Sequence, residues 1–122
     1  YVLEPLYAYL MISGMQHKNS KFSGYYNVGP DECDCVTTGE LVNLFCQKWG
    51  NGLKAEIKQV DGPHEANFLK LDCSKLKKTF NWQPKWNIET AIEKTVAWTK
   101  VYVENGDISK VMDEQIYEFL SK

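Results

Sequence analysis

Apolar residues recur at helical spacing in several separate stretches of this 122-residue chain, and most stretches carry their own start or stop signal. The last two are the clearest. Ile88, Ala91, Ile92, Thr95, Trp98, Thr99 and Tyr102 make one stripe, and Asn105-Gly106 ends it. Asp107 then caps a final helix lined by Ile108, Val111, Met112, Ile116 and Phe119. Earlier, Thr37-Thr38-Gly39-Glu40 fits a capping box, with Thr37 as N-cap and Glu40 reaching back from the third helical position. Val42, Phe45, Cys46 and Trp49 follow in register, and Gly50 supplies the stop. Near the start, Leu3, Leu6, Tyr7 and Leu10 form a stripe, with Pro5 tolerated because it lies in the first turn. Residues 14–23 are polar and read as its exit and a loop. Asp72 is placed to cap a short helix over 74–80, and Asn81 to stop it in the left-handed conformation.

Three runs between the helices read as short strands. Tyr25-Tyr26-Asn27-Val28 is stopped by Gly29-Pro30, residues 55–60 begin with strict alternation, and Phe68-Leu69-Lys70-Leu71 is extended. The expected fold class is therefore α/β, mostly helical with a few short strands. No repeat, linker or low-complexity run divides the chain, so residues 1–122 read as one unit.

A formal charge of −2 argues against a nucleic-acid scaffold, which would carry a net basic face. Lys70, Lys75, Lys77 and Lys78 cluster locally and read as a solvated face. No apolar run approaches the roughly 18 residues that a membrane span needs, and residues 1–15 lack the basic start and cleavage site of a signal peptide. Cys33, Cys35, Cys46 and Cys73 do not complete a zinc spacing and read as reduced thiols of a cytoplasmic protein. Because the chain opens on Tyr1 directly before an apolar stripe, it reads as a fragment.

Gly50-Asn51-Gly52-Leu53-Lys54-Ala55 matches a dinucleotide-binding pattern, but it follows a helix and precedes a strand-like run. The pattern works by offering a helix N-terminus to a pyrophosphate, so here the glycines read as a helix exit. His17 lies in a polar stretch and has no metal-like spacing with His64. His64-Glu65 follows the Gly62-Pro63 break; a carboxylate there is able to accept two hydrogen bonds from a ribose diol, although a plain surface loop is the simpler account. Trp82 and Trp86 read as core rather than as a base-stacking pair. No serine triad or cysteine–histidine pair has a local signature. On residues alone, the chain is a small α/β domain.

Several segments in order resemble the carboxy-terminal region of extended short-chain dehydrogenase/reductases that act on nucleotide sugars. Val2-Leu3-Glu4-Pro5-Leu6-Tyr7-Ala8-Tyr9-Leu10 is similar to the helix that follows their nucleotide-contacting loop, in the Leu-Glu-Pro version of the CDP-glucose 4,6-dehydratase branch. Tyr26-Asn27-Val28-Gly29-Pro30 matches the family's Tyr-Asn-x-Gly segment. Pro63-His64-Glu65-Ala66 with Leu69-Lys70-Leu71-Asp72-Cys73-Ser74-Lys75 is the most specific block. Phe80-Asn81-Trp82-Gln83-Pro84 stands for Leu-Gly-Trp-x-Pro, and Ala91-Ile92-Glu93-Lys94-Thr95-Val96-Ala97-Trp98 completes the series.

The resemblance implies the substrate-binding lobe of an NAD-dependent dehydratase, with the NAD-binding half outside this sequence. It implies CDP-glucose or a related nucleotide sugar as ligand, Glu65 as a ribose contact with His64 beside it, and Asn27 shaping the loop floor. Family members remove water from the sugar using a catalytic Tyr-x-x-x-Lys together with NAD, feeding deoxysugars into bacterial surface polysaccharide such as lipopolysaccharide O-antigen. No tyrosine here has lysine four positions on, so no catalytic residue is assigned and the chain alone is expected to be inactive and to hold no NAD. The chain also contains no arginine, although the family often uses one near Glu65. A homo-oligomer is expected, because Leu3, Leu6, Tyr7 and Leu10 and parts of the Trp98 and Phe119 faces would otherwise meet water. Two alternatives stay open: the same lobe of an enzyme for UDP, GDP or dTDP sugars, and a non-catalytic binding module.

Overall fold

A computed structural model describes residues 1–56, 58 and 70–122. Among the described residues five α-helices are present, α1 (Leu3–Lys18), α2 (Thr38–Trp49), α3 (Ser74–Phe80), α4 (Ile88–Val103) and α5 (Ile108–Ser121), with 3-10 turns at Ser20–Phe22 and Glu32–Asp34. Most of the expected caps are present, but the N-cap of α3 is Cys73, with no side-chain cap, while Asp72 one residue earlier accepts from Ser74 N–H at 2.9 Å. Thr37 Oγ1 accepts from Glu40 N–H while the Glu40 carboxylate accepts from Thr37 N–H at 2.8 Å, a complete capping box. Asp107 accepts from Lys110 N–H, and Asn87 from Thr90 N–H at the head of α4. Asn81 and Asn105 take the left-handed conformation after α3 and α4, with φ of 52° and 55°.

The α/β expectation is corrected: the described structure is mostly helical and holds no strand among the described residues. Tyr25 to Val28 runs irregularly beside residues 71–73, but side chains make the bridges. Asn27 Nδ2 donates to Asp72 O at 3.1 Å, and Lys75 Nζ to Tyr25 O at 3.0 Å. A strand exists only through a partner's backbone ladder, which alternation in one segment does not provide. Residues 55, 56, 58, 70 and 71 are likewise not strand; the rest of the runs at 55–60 and 68–71 lies outside the described residues.

Ala8, Leu76 and Trp82 are buried together, with Tyr7, Met11, Ile12, Tyr26, Val28 and Phe80 packed around them. A second apolar layer joins α4 (Ala91, Ile92, Val96) to Trp86 and to Phe119 of α5. Helix α4 lies between α2 and α5. Lys48 meets Glu93 at 3.6 Å on one side, and Gln115 Nε2 donates to Lys94 O at 3.0 Å on the other. Phe119, expected in part at the surface, is instead 2% exposed, held edge-on by Trp86 and Tyr7 at centroid distances of 5.1 and 5.9 Å.

Helix α1 departs from the sequence reading twice. It continues through Gly14 to Lys18, because Met15 and Gln16 keep the helical register of Met11 and Ile12, and Gln16 Nε2 donates to Phe22 O beyond the helix end. Its apolar stripe also divides. Leu3 and Tyr7 are half-buried, whereas Leu6 and Leu10 are 47% and 75% exposed; the inward line is Glu4 and Ala8.

Candidate functional site

Asn27 lies on a segment fixed at both ends. Tyr26 donates its phenol to Phe22 O at 2.8 Å, packs edge-on against Phe80, and carries Lys75 Nζ over its ring at 4.7 Å. A Cβ on Gly29 would come 3.3 Å from Cys73 Sγ and 3.6 Å from Leu71 Cβ, so a glycine lets this segment run against residues 71–73. Asn27 itself is exposed, and its amide holds Asp72 O. Next to it opens a groove of about 390 Å³, lined by Pro30, Glu32, Cys35, Lys70, Asp72 and Lys77 among others.

The lysines of this groove are not a bare solvated face. Lys70 Nζ meets Glu32 Oε1 at 2.6 Å; this hydrogen bond raises the Lys70 pKa and holds the Glu32 carboxyl below its ordinary value. Lys77 pairs with Asp31, whose hydrogen bond raises the lysine. Asp72 is lowered by the backbone N–H of Ser74, and burial pushes the Cys73 thiol up, which makes it a poor nucleophile. The groove therefore offers paired charges and hydrogen-bonding groups suited to binding.

Of the residues singled out from sequence, Asn27 is placed beside this groove, while His64 and Glu65 lie outside the described residues. His17 is exposed at the end of α1, and Trp82 and Trp86 are core. The glycine run is a helix exit: Gly50, Asn51 and Gly52 all have positive φ, and no helix follows through residue 56. The pyrophosphate of NAD would find no helix N-terminus there, so this run does not fit the cofactor.

Sequence reading missed a second polar centre. Glu4 is only 8% exposed, yet its Oε1 accepts from Lys85 N–H at 2.9 Å and Trp86 N–H at 2.8 Å. Asp34 does the same for Ile88 N–H at 3.0 Å, so two carboxylates take the amides leading into α4. Tyr1 packs tilted against Trp86 at a centroid distance of 5.0 Å and donates a hydrogen bond to Gln115 Oε1. Between these groups lies a cleft of about 450 Å³. The available signal was a carboxylate set inside an apolar helical stripe, which is costly to bury unless partnered.

No family model matches the chain. A CDP-glucose 4,6-dehydratase of Salmonella typhimurium (strain LT2) is 30% identical over 122 residues, which cover 99% of this chain and 34% of that protein. The chain thus spans about a third of the length of the curated relative it matches. The resemblance to a nucleotide-sugar dehydratase, first drawn from motifs, holds over essentially the whole chain.

Proposed function

We propose that this chain is the nucleotide-sugar-binding portion of a CDP-glucose 4,6-dehydratase, a unit over residues 1–122 that contacts substrate while another part of the protein holds NAD. The alignment with a named dehydratase along the full chain carries the reading. The groove beside Asn27 supports it, since it joins hydrogen-bonding groups to paired charges. Glu65 is assigned to the ribose diol, His64 lies next to it, and Asn27 holds the floor by fixing residue 72. The chemistry needs the hydride acceptor and base of the remaining protein. This chain's share is to bind and orient the nucleotide.

Calorimetric titration of the 122-residue chain with CDP, CDP-glucose, UDP-glucose and dTDP-glucose tests the reading. The cytidine ligands should bind best, and Glu65→Ala should weaken them about tenfold, as expected for losing hydrogen bonds to a carboxylate. A preference for uridine or thymidine ligands would assign the lobe to a different nucleotide-sugar enzyme. In an enzyme containing this sequence, Glu65→Ala should raise KM and leave kcat nearly unchanged, because a ribose contact is made equally in ground and transition states. A fall in kcat at constant KM would make Glu65 part of the chemistry instead.

A further inference from the structure

The Glu4 cleft carries a requirement that the nucleotide-sugar reading does not absorb. One carboxylate oxygen, Oε1, is taken by two backbone amides; the other, Oε2, is buried and has no hydrogen-bond partner among the described residues. Glu4 lines the cleft together with Tyr1, Pro5, Pro30, Asp34 and Trp86. Asp34 adds a second carboxylate to the same wall, with one oxygen committed to Ile88 N–H. No lysine lines the cleft. Lys85 Nζ donates to Phe119 O and sits over the Tyr7 and Phe119 rings, and Lys94 is bound to Glu118 at 2.5 Å. A buried carboxylate oxygen without a donor costs several kcal/mol, so the site is incomplete as the chain alone forms it.

We infer that this cleft receives a guanidinium group, the side chain of an arginine on another polypeptide segment. Two carboxylates select a cation. The walls favour a weakly hydrated cation, because Tyr1, Trp86 and the prolines Pro5, Pro30 and Pro84 line the cleft. A guanidinium is planar, stacks on aromatic rings, and is less strongly hydrated than an ammonium, which makes it the better cation for a dry acidic cleft. All 14 basic residues of this chain are lysines, so the arginine is supplied from outside this sequence. Binding would turn the free oxygen of Glu4 toward the cleft while the other keeps both backbone amides, linking the incoming segment to the start of α4.

The probe is methylguanidinium added to the 122-residue chain, followed by the Trp86 indole N–H and the Lys85 and Trp86 amide resonances. Saturable shifts confined to these groups are expected, with methylammonium binding about tenfold more weakly and neutral methylurea giving none. Glu4→Gln should abolish the response, since it removes the charge and keeps the shape. Non-saturating shifts, or an equal response to methylurea, would overturn the inference and leave an ordinary hydrogen-bonding cavity. Because the comparison of probes uses the unaltered chain, it decides the matter even if Glu4→Gln does not fold. It is also independent of whether CDP-glucose binds.

Discussion

Glu4 joins segments 81 and 82 residues apart in the chain through its bonds to the Lys85 and Trp86 amides. Glu4→Ala leaves both donors facing a cavity, and unpaired buried donors cost about 1–3 kcal/mol each. Urea unfolding should therefore show a loss of about 3 kcal/mol, with Glu4→Gln losing less because it keeps an acceptor. Glu40 shows the opposite, solvent-facing case. Its carboxyl is held below the ordinary value, first by the Thr37 backbone N–H and then by the Thr37 hydroxyl. The unfolded chain thus binds this proton more readily, so the capping contribution is present above the unfolded pKa and fades as pH falls through the lower folded one. Thr37→Ala should cost about 1 kcal/mol at neutral pH and flatten that acid limb in unfolding curves taken across the carboxylate range. Among the thiols, Cys33 is exposed and Cys73 is buried with a raised pKa. Native-state thiol labelling should modify Cys33 first and Cys73 last.

Each helix ends for a local reason, and those ends are where single substitutions act most cleanly. Asn81 follows α3 at φ 52°, a conformation that costs an ordinary L-residue about 1 kcal/mol. Asn81→Ala should lower stability by about that amount, whereas Asn81→Gly should be neutral or better; equal losses would mean that the Asn81 side chain, not its backbone, matters. Between α4 and α5 the chain turns through Asn105, and Gly106 N–H closes the turn onto Val101 O at 2.8 Å. A Cβ at Gly106 would lie 2.9 Å from Val101 Cγ1, so this turn tolerates little beyond glycine. The result is a tight α4–α5 pair that Lys94–Glu118 and Gln115 then fasten.

At the scale of the whole molecule, two rows of apolar side chains are exposed among the described residues. Val2, Leu6 and Leu10 form an outward row at the start of α1, 60%, 47% and 75% exposed, and Met112, Ile116 and Leu120 form another on α5. Covering such area gains about 25 cal/mol per Å², which favours association at moderate concentration. The chain is therefore expected to sediment above its 14.1 kDa monomer mass, and the double variant Leu6→Glu/Leu10→Glu to return it to that mass. Association unchanged by the variant would move the interface to α5. No helix among the described residues is long and apolar enough to cross a membrane.

The sequence by itself determined the limits of α2, α3, α4 and α5, because Thr37, Gly50, Asn81, Asn105 and Asp107 act through hydrogen bonds and φ values within a few residues; the end of α1 it did not mark. It also carried the likeness to a nucleotide-sugar dehydratase, since ordered motifs survive in a one-dimensional record. Only the tertiary structure decided what each side chain faces. Leu6 and Leu10 turned outward and Glu4 inward because the available surface to cover was the amide-rich turn at Lys85–Trp86, which demands an acceptor and not a hydrocarbon. The short strand read at Tyr25-Tyr26-Asn27-Val28 did not form, because a ladder depends on a partner that no single segment encodes. Lys70, Lys75 and Lys78 are exposed as the sequence reads, but only folding brought Glu32 and Asp31 across from Lys70 and Lys77, 38 and 46 residues away in the chain.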